Sequence, residues 1–564
     1  DPDHLVYFRP EVAGLVMGGY ERDPAAWGLD GIAPDFNGKL LPPDWPRFEE
    51  ISRGAVHRVP AMATAGVRQL INGPEGFTPD NEFILGETEV RGFWVAAGFS
   101  AHGIAGAGGM GRQVAHWIVD GEPEYDLWKM DIRRFGAQYR SRAVVQARAT
   151  ENYATYYDIH YPNEERQSAR PLRLSPTYAR LAELGCVFGE KSGWERPNWF
   201  ESNAPAGNPA LRPRGWAGHH WSPAIEAEAL ATRATAALFD ETSFSKIEIG
   251  GPGALAFLQR LCANDMDRPI GRITYTQMLN RRGGIECDFT VTRLGADRFF
   301  IVTGTAFGNH DLGWIRSHAP DDGSVTLTDV TSARVCLGIW GPRARDIVAS
   351  TSTDDWSNGA FPYLSARQVS VGPVPVLALR VTYVGELGWE LYAPMEYGLV
   401  LWDTLWDAGK PHGMVAGGYR AIEALRLEKG YRVWSSDITP DDTPDQAGLA
   451  FAVRMGKSVP FIGRDALEGA RAGGADRRLC CLVLDEALAV ALGNEPIRIG
   501  EQIVGRVTSG GYGYTVGASI AYGYLPVEQA EVDQRVEVEI FGEWVGGSVR
   551  AEPLLDPEGE RIRA

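Results

Sequence analysis

From residue 222 to about 470 the chain alternates short apolar strands with amphipathic helices, and this constrains the fold more than any other feature. SPAIEAEALATRATAALFD carries Ser where an N-cap belongs, Pro in the first turn and apolar residues at helical spacing, which predicts a helix. The strand FSKIEIGG follows, then the helix GALAFLQRLCAND, two strands (YTQML and GIECDFTVT) joined by RRGG, and the strand RFFIVTG. RVCLGIWGPRARDIV repeats strand, glycine and helix; LALRVTYVGELGWELY reads as a hairpin and GYRAIEALRLEKGY as a helix. These segments form one α+β domain, expected over residues 201–470. RAGGAD at 471–476 has linker composition, and the short strands beyond it, punctuated by turns, predict a small β-barrel over 477–564.

The first 200 residues are less regular. HLVYFRP and GLVMGGYE are apolar runs with hairpin spacing, residues 45–59 have helical periodicity, RGFWVAAG is a strand, and an amphipathic helix covers residues 111–119. Residues 1–122 therefore read as a mixed α/β unit. Residues 123–200, rich in Tyr, Arg and Trp (ENYATYYDIHYPNEER, GWERPNWF), lack clean periodicity and read as a connecting or central domain.

Composition excludes several function classes. The balance of 55 basic and 73 acidic residues gives a net charge of −18, without a basic run, which argues against nucleic acid or an anionic membrane as partner. Six scattered cysteines without a CxxC spacing do not make a disulfide framework. With no apolar run of membrane length, the expectation is a reducing compartment: the cytoplasm, or the mitochondrial matrix in a eukaryote. The chain opens on DPDHLVYFRPE, without Met and in mid-strand, so a processed product or fragment is expected.

Several residues could carry chemistry. Gly106-Ala-Gly108-Gly-Met-Gly111 matches GxGxxG between a strand and a helix, where glycines would let backbone approach a pyrophosphate. A lone match among 67 glycines carries little weight, and a structural turn or another flavin- or phosphate-facing loop fits as well. Asp288, inside an apolar strand after a double-glycine turn, is costly to bury unpaired and so should have a partner, structural or functional. Tyr383 and Glu390 flank a glycine-containing turn, with Glu386 a rival to Glu390. Arg426 in ALRLEKG is open to a helix salt bridge with Glu428 or to an anionic ligand. The ten histidines include no HExxH or HxH, His219-His220 lacks a nearby carboxylate cluster, and no metal site is expected.

The motifs together resemble a known family. GFWVAAGFSAHGIAGAGGMGRQVAHWIVDGEP and NGPEGFTPD look like the flavin-contacting and substrate-domain segments of the FAD-dependent dimethylglycine and sarcosine dehydrogenases and oxidases. ANDMDRPIGRITYTQMLNRRGGIECDFTVTR, TYVGELGWELY and ALRLEKGYR resemble the glycine-cleavage T-protein, an aminomethyltransferase, and the last strands resemble its barrel. The resemblance covers essentially the whole chain. It makes the GxGxxG at Gly106 a decoy, because the family places its dinucleotide fingerprint, and the His that often carries flavin, earlier than these segments.

The resemblance implies FAD and tetrahydrofolate as cofactors and a small N-methylated amino acid as substrate. Gly98, Phe99, Ser100, Gly103 and Ile104 would face the flavin, with His102 open to an orienting or a packing role, and Tyr7 would stand near the substrate. Asp288 would assist one-carbon transfer to folate, retaining one acid where T-proteins commonly have two and this chain has Cys287-Asp288. Tyr383, Glu390 and Arg426 would contact the folate. Electrons would leave to oxygen or to an electron-transfer flavoprotein. The alternatives are a folate-dependent transferase without flavin oxidation and a non-catalytic regulatory relative.

Overall fold

In the computed structural model, which describes residues 1–564, the chain separates into two compact units, Asp1–Arg170 and Pro171–Ala564. The division falls inside the segment 123–200 expected as a connector. The first unit contains the hairpin β1 (Val6–Glu11) and β2 (Gly14–Gly19), helix α1 (Trp45–Arg58), the hairpin β3 (Ile84–Glu87) and β4 (Trp94–Ala97), and helices α2 (Gly103–Asp120) and α3 (Arg142–Ala154). A small core cluster there joins Val6, Ile51 and Ala55, with Phe8, Met17, Phe48 and Met62 against them. Helix α2 begins eight residues before the predicted one, so the GxGxxG glycines are helical and form no loop. The residues ahead of it supply the turn: Gly98, Ser100 and Ala101 all have positive φ.

The second unit opens with α4 (Tyr178–Glu183) and the hairpin β5 (Cys186–Lys191) and β6 (Trp194–Phe200). Then follow α5 (Ala224–Ala234), β7 (Ala237–Asp240), β8 (Ser245–Gly250), α6 (Ala254–Leu261), β9 (Ile273–Leu279), β10 (Ile285–Arg293), β11 (Arg298–Thr303), α7 (Gly308–Ser317) and β12 (Thr326–Asp329). The chain continues through β13 (Arg334–Trp340), α8 (Ala344–Ser350), β14 (Ala366–Val371), β15 (Val374–Leu379), β16 (Gly388–Pro394), α9 (Gly398–Gly409), β17 (Val415–Gly417) and α10 (Tyr419–Lys429). Two sheets result, ordered β12-β8-β11-β10-β9 and β14-β15-β16-β13-β7-β17, antiparallel except where β17 joins β7. Helix α11 (Arg464–Gly473) overlaps the expected linker. The last six strands, β18 (Arg477–Leu484), β19 (Pro496–Ile499), β20 (Gln502–Gly513), β21 (Ala518–Pro526), β22 (Arg535–Ile540) and β23 (Glu543–Arg550), close as the predicted barrel.

Strand periodicity decides which side chains become core. In β10, Cys287, Phe289 and Val291 join Leu258 of α6 and Ile315 of α7 in one apolar cluster, so the alternate residue Asp288 faces the other side of the sheet. A second cluster joins Ile273 and Phe300 of the five-stranded sheet to Leu377, Leu379 and Tyr392 of the six-stranded one. Each fully buried side chain of this size contributes about 1.5–3 kcal/mol, and together the clusters fix how β10 and β16 stand. All six cysteines are free, five of them buried. No helix is long and apolar enough to cross a membrane.

Candidate active site

The environment of Asp288 follows from register. Gln277 of β9 is its direct partner across the ladder and Tyr275 stands one step along the same face. Gln277 Nε2 donates to Asp288 Oδ1 at 2.8 Å and the Tyr275 hydroxyl donates to the same oxygen at 2.6 Å. Neither bond ties Oδ2. Burial pushes the Asp288 carboxyl up to about 6, the two donors oppose that shift, and the Asp311 carboxylate adds to it. A carboxyl poised there can hold or release a proton near neutral pH.

Tyr383 lies in the loop between β15 and β16, donates to Arg432 O at 2.7 Å and stacks on Tyr431 with ring centroids 5.8 Å apart. Burial raises its phenol, and Asp288, Glu423, Asp437 and Arg426 all act on it electrostatically, which places it beside the Asp288 cluster. Arg426 is 1% exposed and committed: it donates to Asp437 at 2.9 Å and to Glu423 at 2.9 Å. Its partner is not Glu428, which holds Arg233 instead at 2.8 Å. Asp437 also accepts from Thr508 and Ser509 of β20, so Arg426 links helix α10 to the barrel. Glu386, the rival to Glu390, is held by Arg233 and Arg561. Glu390, in β16, belongs to a separate buried group with Tyr392 and Glu241; the Tyr392 hydroxyl donates to it at 2.6 Å.

Behind Asp288 lies a charged group that periodicity does not reveal. His310 of α7 is hydrogen bonded to Asp311 at 2.9 Å and to Glu286 at 3.0 Å, and donor atoms of Cys287, His310 and Asp311 lie within 4.8 Å of one another. Burial draws the imidazole down, but the two carboxylates outweigh it and lift it to about 9. Protonated, both ring nitrogens serve as donors to carboxylates, a charge-compensated arrangement that occupies the nitrogens a metal would need.

In the first unit the sequence-predicted residues gather around tyrosines. Tyr7 of β1 is 51% exposed, and its phenol is raised by partial burial and by neighbouring Glu75 and Tyr157. Tyr20 packs against Tyr153, Tyr156 and Tyr157 with centroids 5.1, 5.7 and 4.9 Å away, and Phe77 meets Tyr153 and Tyr156 edge-on. Tyr153 donates to Glu21 at 2.7 Å; Tyr156 donates to Ser100 O at 3.0 Å and is hydrogen bonded to His102. The spacing 153, 156, 157 brings three tyrosines of the expected connector to one side, a helical signal at the end of α3 that the segment's irregular composition obscured.

Next to this cluster Gly98 has φ +61°, and a Cβ there would press within 2.7 Å of Thr78. Phe99 packs on Phe83, Gly103 opens α2, and Ile104 is fully exposed. Along α2 the positions a Cβ would occupy at Gly108, Gly109 and Gly111 have open space, so the helix presents bare backbone. That surface fits a flat aromatic cofactor, which small residues allow to approach main chain.

Four family descriptions match in chain order: "FAD dependent oxidoreductase" over residues 1–117, its "central domain" over 120–175, "GCVT N-terminal domain" over 177–457 and "Glycine cleavage T-protein C-terminal barrel domain" over 477–556. A 4-methylaminobutanoate oxidase (formaldehyde-forming) of Paenarthrobacter nicotinovorans is 36% identical over all of this chain and 68% of its own length. The chain belongs to the dimethylglycine/sarcosine dehydrogenase family. Mouse mitochondrial sarcosine dehydrogenase is likewise 36% identical over the whole chain and 66% of its own length, so the chain spans about two thirds of its curated relatives. Among solved structures, the aminomethyltransferase T of the Bartonella henselae glycine cleavage system superposes with a TM-score of 0.59 at 26% identity, covering 68% of this chain and 99% of that one. Family membership accounts for the fold of the second unit, two sheets followed by a barrel.

Proposed function

We propose that the protein containing this chain oxidatively demethylates a small N-methylated amino acid of the dimethylglycine or sarcosine type and passes the one-carbon unit to tetrahydrofolate. The observation that carries this reading is Asp288, a half-buried carboxyl fastened through one oxygen only, on a T-protein fold that shares its chain with a flavin-oxidoreductase segment. FAD, when bound, supplies the hydride acceptor for the N-methyl carbon.

The chain's own residues divide the remaining work. Tyr7, Tyr20 and Tyr157 around Glu75 offer aromatic faces and a carboxylate to a cationic amine. The turn at Gly98, Phe99 and Ser100, with Gly103 and Ile104 at the start of α2, would hold the cofactor. Asp288 would steady cationic character during transfer through its uncommitted oxygen, and Tyr383 and Glu390 would place the pterin. Arg426 supports the site by holding the loop that carries Asp437. Electrons would leave to oxygen or to an electron-transfer flavoprotein, distinguished by whether oxygen is consumed.

The test uses the flavin-loaded protein with dimethylglycine or sarcosine, with and without tetrahydrofolate. Flavin bleaching should accompany formaldehyde release without folate and methylenetetrahydrofolate with it. Asp288→Asn should bleach the flavin normally yet release formaldehyde in both cases. A flavin that neither amine reduces would favour the folate-dependent transferase.

A further inference from the structure

Glu241 is completely buried, and neither of its carboxylate oxygens accepts a hydrogen bond. Native proteins rarely bury a carboxyl without donors, because nothing then replaces the water it loses. Its position is enforced by the six-stranded sheet. Glu241 directly follows β7, and its N–H donates to Cys336 O of β13 at 2.9 Å. Gly338 of β13 pairs on one side with Phe239 of β7 and on the other with Glu390 of β16. A Cβ on Gly338 would press into the Trp340 ring and come within 2.8 Å of Glu241 Oε2, so the missing side chain leaves room for both the ring and the carboxyl, on the strand that pairs with Glu390.

The charged neighbours do not satisfy it. Lys246 of β8 donates to the carbonyl oxygens of Thr242 at 2.8 Å and Thr331 at 3.4 Å. Asp240 is engaged by the hydroxyls of Ser175 and Thr177. Arg196 of β6 lies 3.4 Å over the Tyr419 ring, with its Nε also buried and unpartnered. The other titratable groups around the pair, Cys336 and Tyr392, are neutral, and the Tyr392 hydroxyl goes to Glu390. Burial raises both carboxyls, and the neighbouring Glu390 adds repulsion at Glu241, while the Tyr392 hydroxyl and Lys246 oppose the shift at Glu390.

We propose that Glu241 is a second binding carboxyl of the folate pocket, facing with Glu390 the paired N–H donors of an aminopyrimidine edge such as a pterin's. This rests on the folate reading of Glu390. An aminopyrimidine offers adjacent donors that a carboxylate accepts side by side, the geometry that makes paired hydrogen bonds strong. A buried group left without donors in the free protein weakens the fold, and such groups are retained where binding needs them.

The test measures binding of 5-formyltetrahydrofolate to the full chain by calorimetry, and thermal unfolding without ligand, for wild type, Glu241→Gln and Glu241→Leu. The Gln variant, equal in shape, should bind about tenfold more weakly, the scale of a lost charge-assisted hydrogen bond. The Leu variant should lose more affinity and melt at or above wild type. Unchanged affinity in both variants would overturn the proposal whatever their melting temperatures, and a Leu variant that also melts well below wild type would make Glu241 structural. A wild-type chain that does not bind the probe would remove the folate reading of Glu390 and the inference with it.

Discussion

Tyr275 and Asp288 stand on neighbouring antiparallel strands two residues out of register, and the phenol donates to Oδ1 of the carboxyl at 2.6 Å. The bond opposes the upward push of burial on Asp288. Tyr275→Phe should therefore move the Asp288 carboxyl above about 6, by about one unit. The acid limb of the pH profile for one-carbon transfer to tetrahydrofolate should shift upward equally. A limb that stays in place would mean Asp288 does not set it.

Asp288 also taxes stability. Its carboxyl keeps a proton up to about 6 in the fold but releases it near 3.8 when unfolded, so stability falls as pH rises through that window and the loss is complete above it. A shift of this size corresponds to at most about 3 kcal/mol. Asp288→Asn should then be more stable than wild type in urea unfolding at pH 8, by about 1–3 kcal/mol, with the two proteins converging toward pH 4.

The second unit was largely legible in the sequence because strand periodicity, turn residues and helix signals agree there: the strand pair carrying Asp288, the hairpin carrying Glu390 and the closing barrel all form as expected. Side-chain partners were not legible. Gln277 becomes the partner of Asp288 only through register across β9 and β10, and Glu241 comes near Glu390 where Gly338 of a third strand leaves room for its carboxyl and the Trp340 ring. Arg426 illustrates the same limit: an Arg-Leu-Glu string suggests a local pair, whereas the guanidinium reaches Asp437, 11 residues on. The tyrosines at 153, 156 and 157 are not legible as a group, because their helical spacing begins at a helix end, among residues that break the pattern.

Arg426→Met should destabilise the second unit by about 3–5 kcal/mol, since it leaves Asp437 buried without its cation. Thermal unfolding reads this directly. If Arg426 served mainly to bind folate, affinity would fall while the melting temperature held.

Tyr7→Phe removes a hydroxyl from a half-exposed ring, so the melting temperature should stay within about 1 °C of wild type. Reduction of the bound flavin by a methylated amine should slow by about 10- to 100-fold if the hydroxyl helps position substrate. Stopped-flow absorbance of the flavin-loaded protein gives that rate, and an unchanged rate would assign Tyr7 to packing alone.

His310 predicts an alkaline weakness. Its imidazole is held at about 9 by Asp311 and Glu286, against 6.5 when free, so the folded state binds the extra proton between those values. The resulting stability is fully present below pH 6.5 and is lost as pH rises through about 9, amounting to about 3 kcal/mol or less. His310→Gln keeps hydrogen-bonding capacity but no charge, leaving the buried Asp311 and the half-buried Glu286 carboxylates uncompensated. Denaturant unfolding at pH 6.5, 8 and 10 should find the variant several kcal/mol weaker at pH 6.5, with the gap closing at pH 10. Other groups that titrate in this range, such as Lys246 and Lys457, are common to both proteins and cancel in the difference. A gap that stays constant with pH would show that His310 contributes by packing and not by its charge.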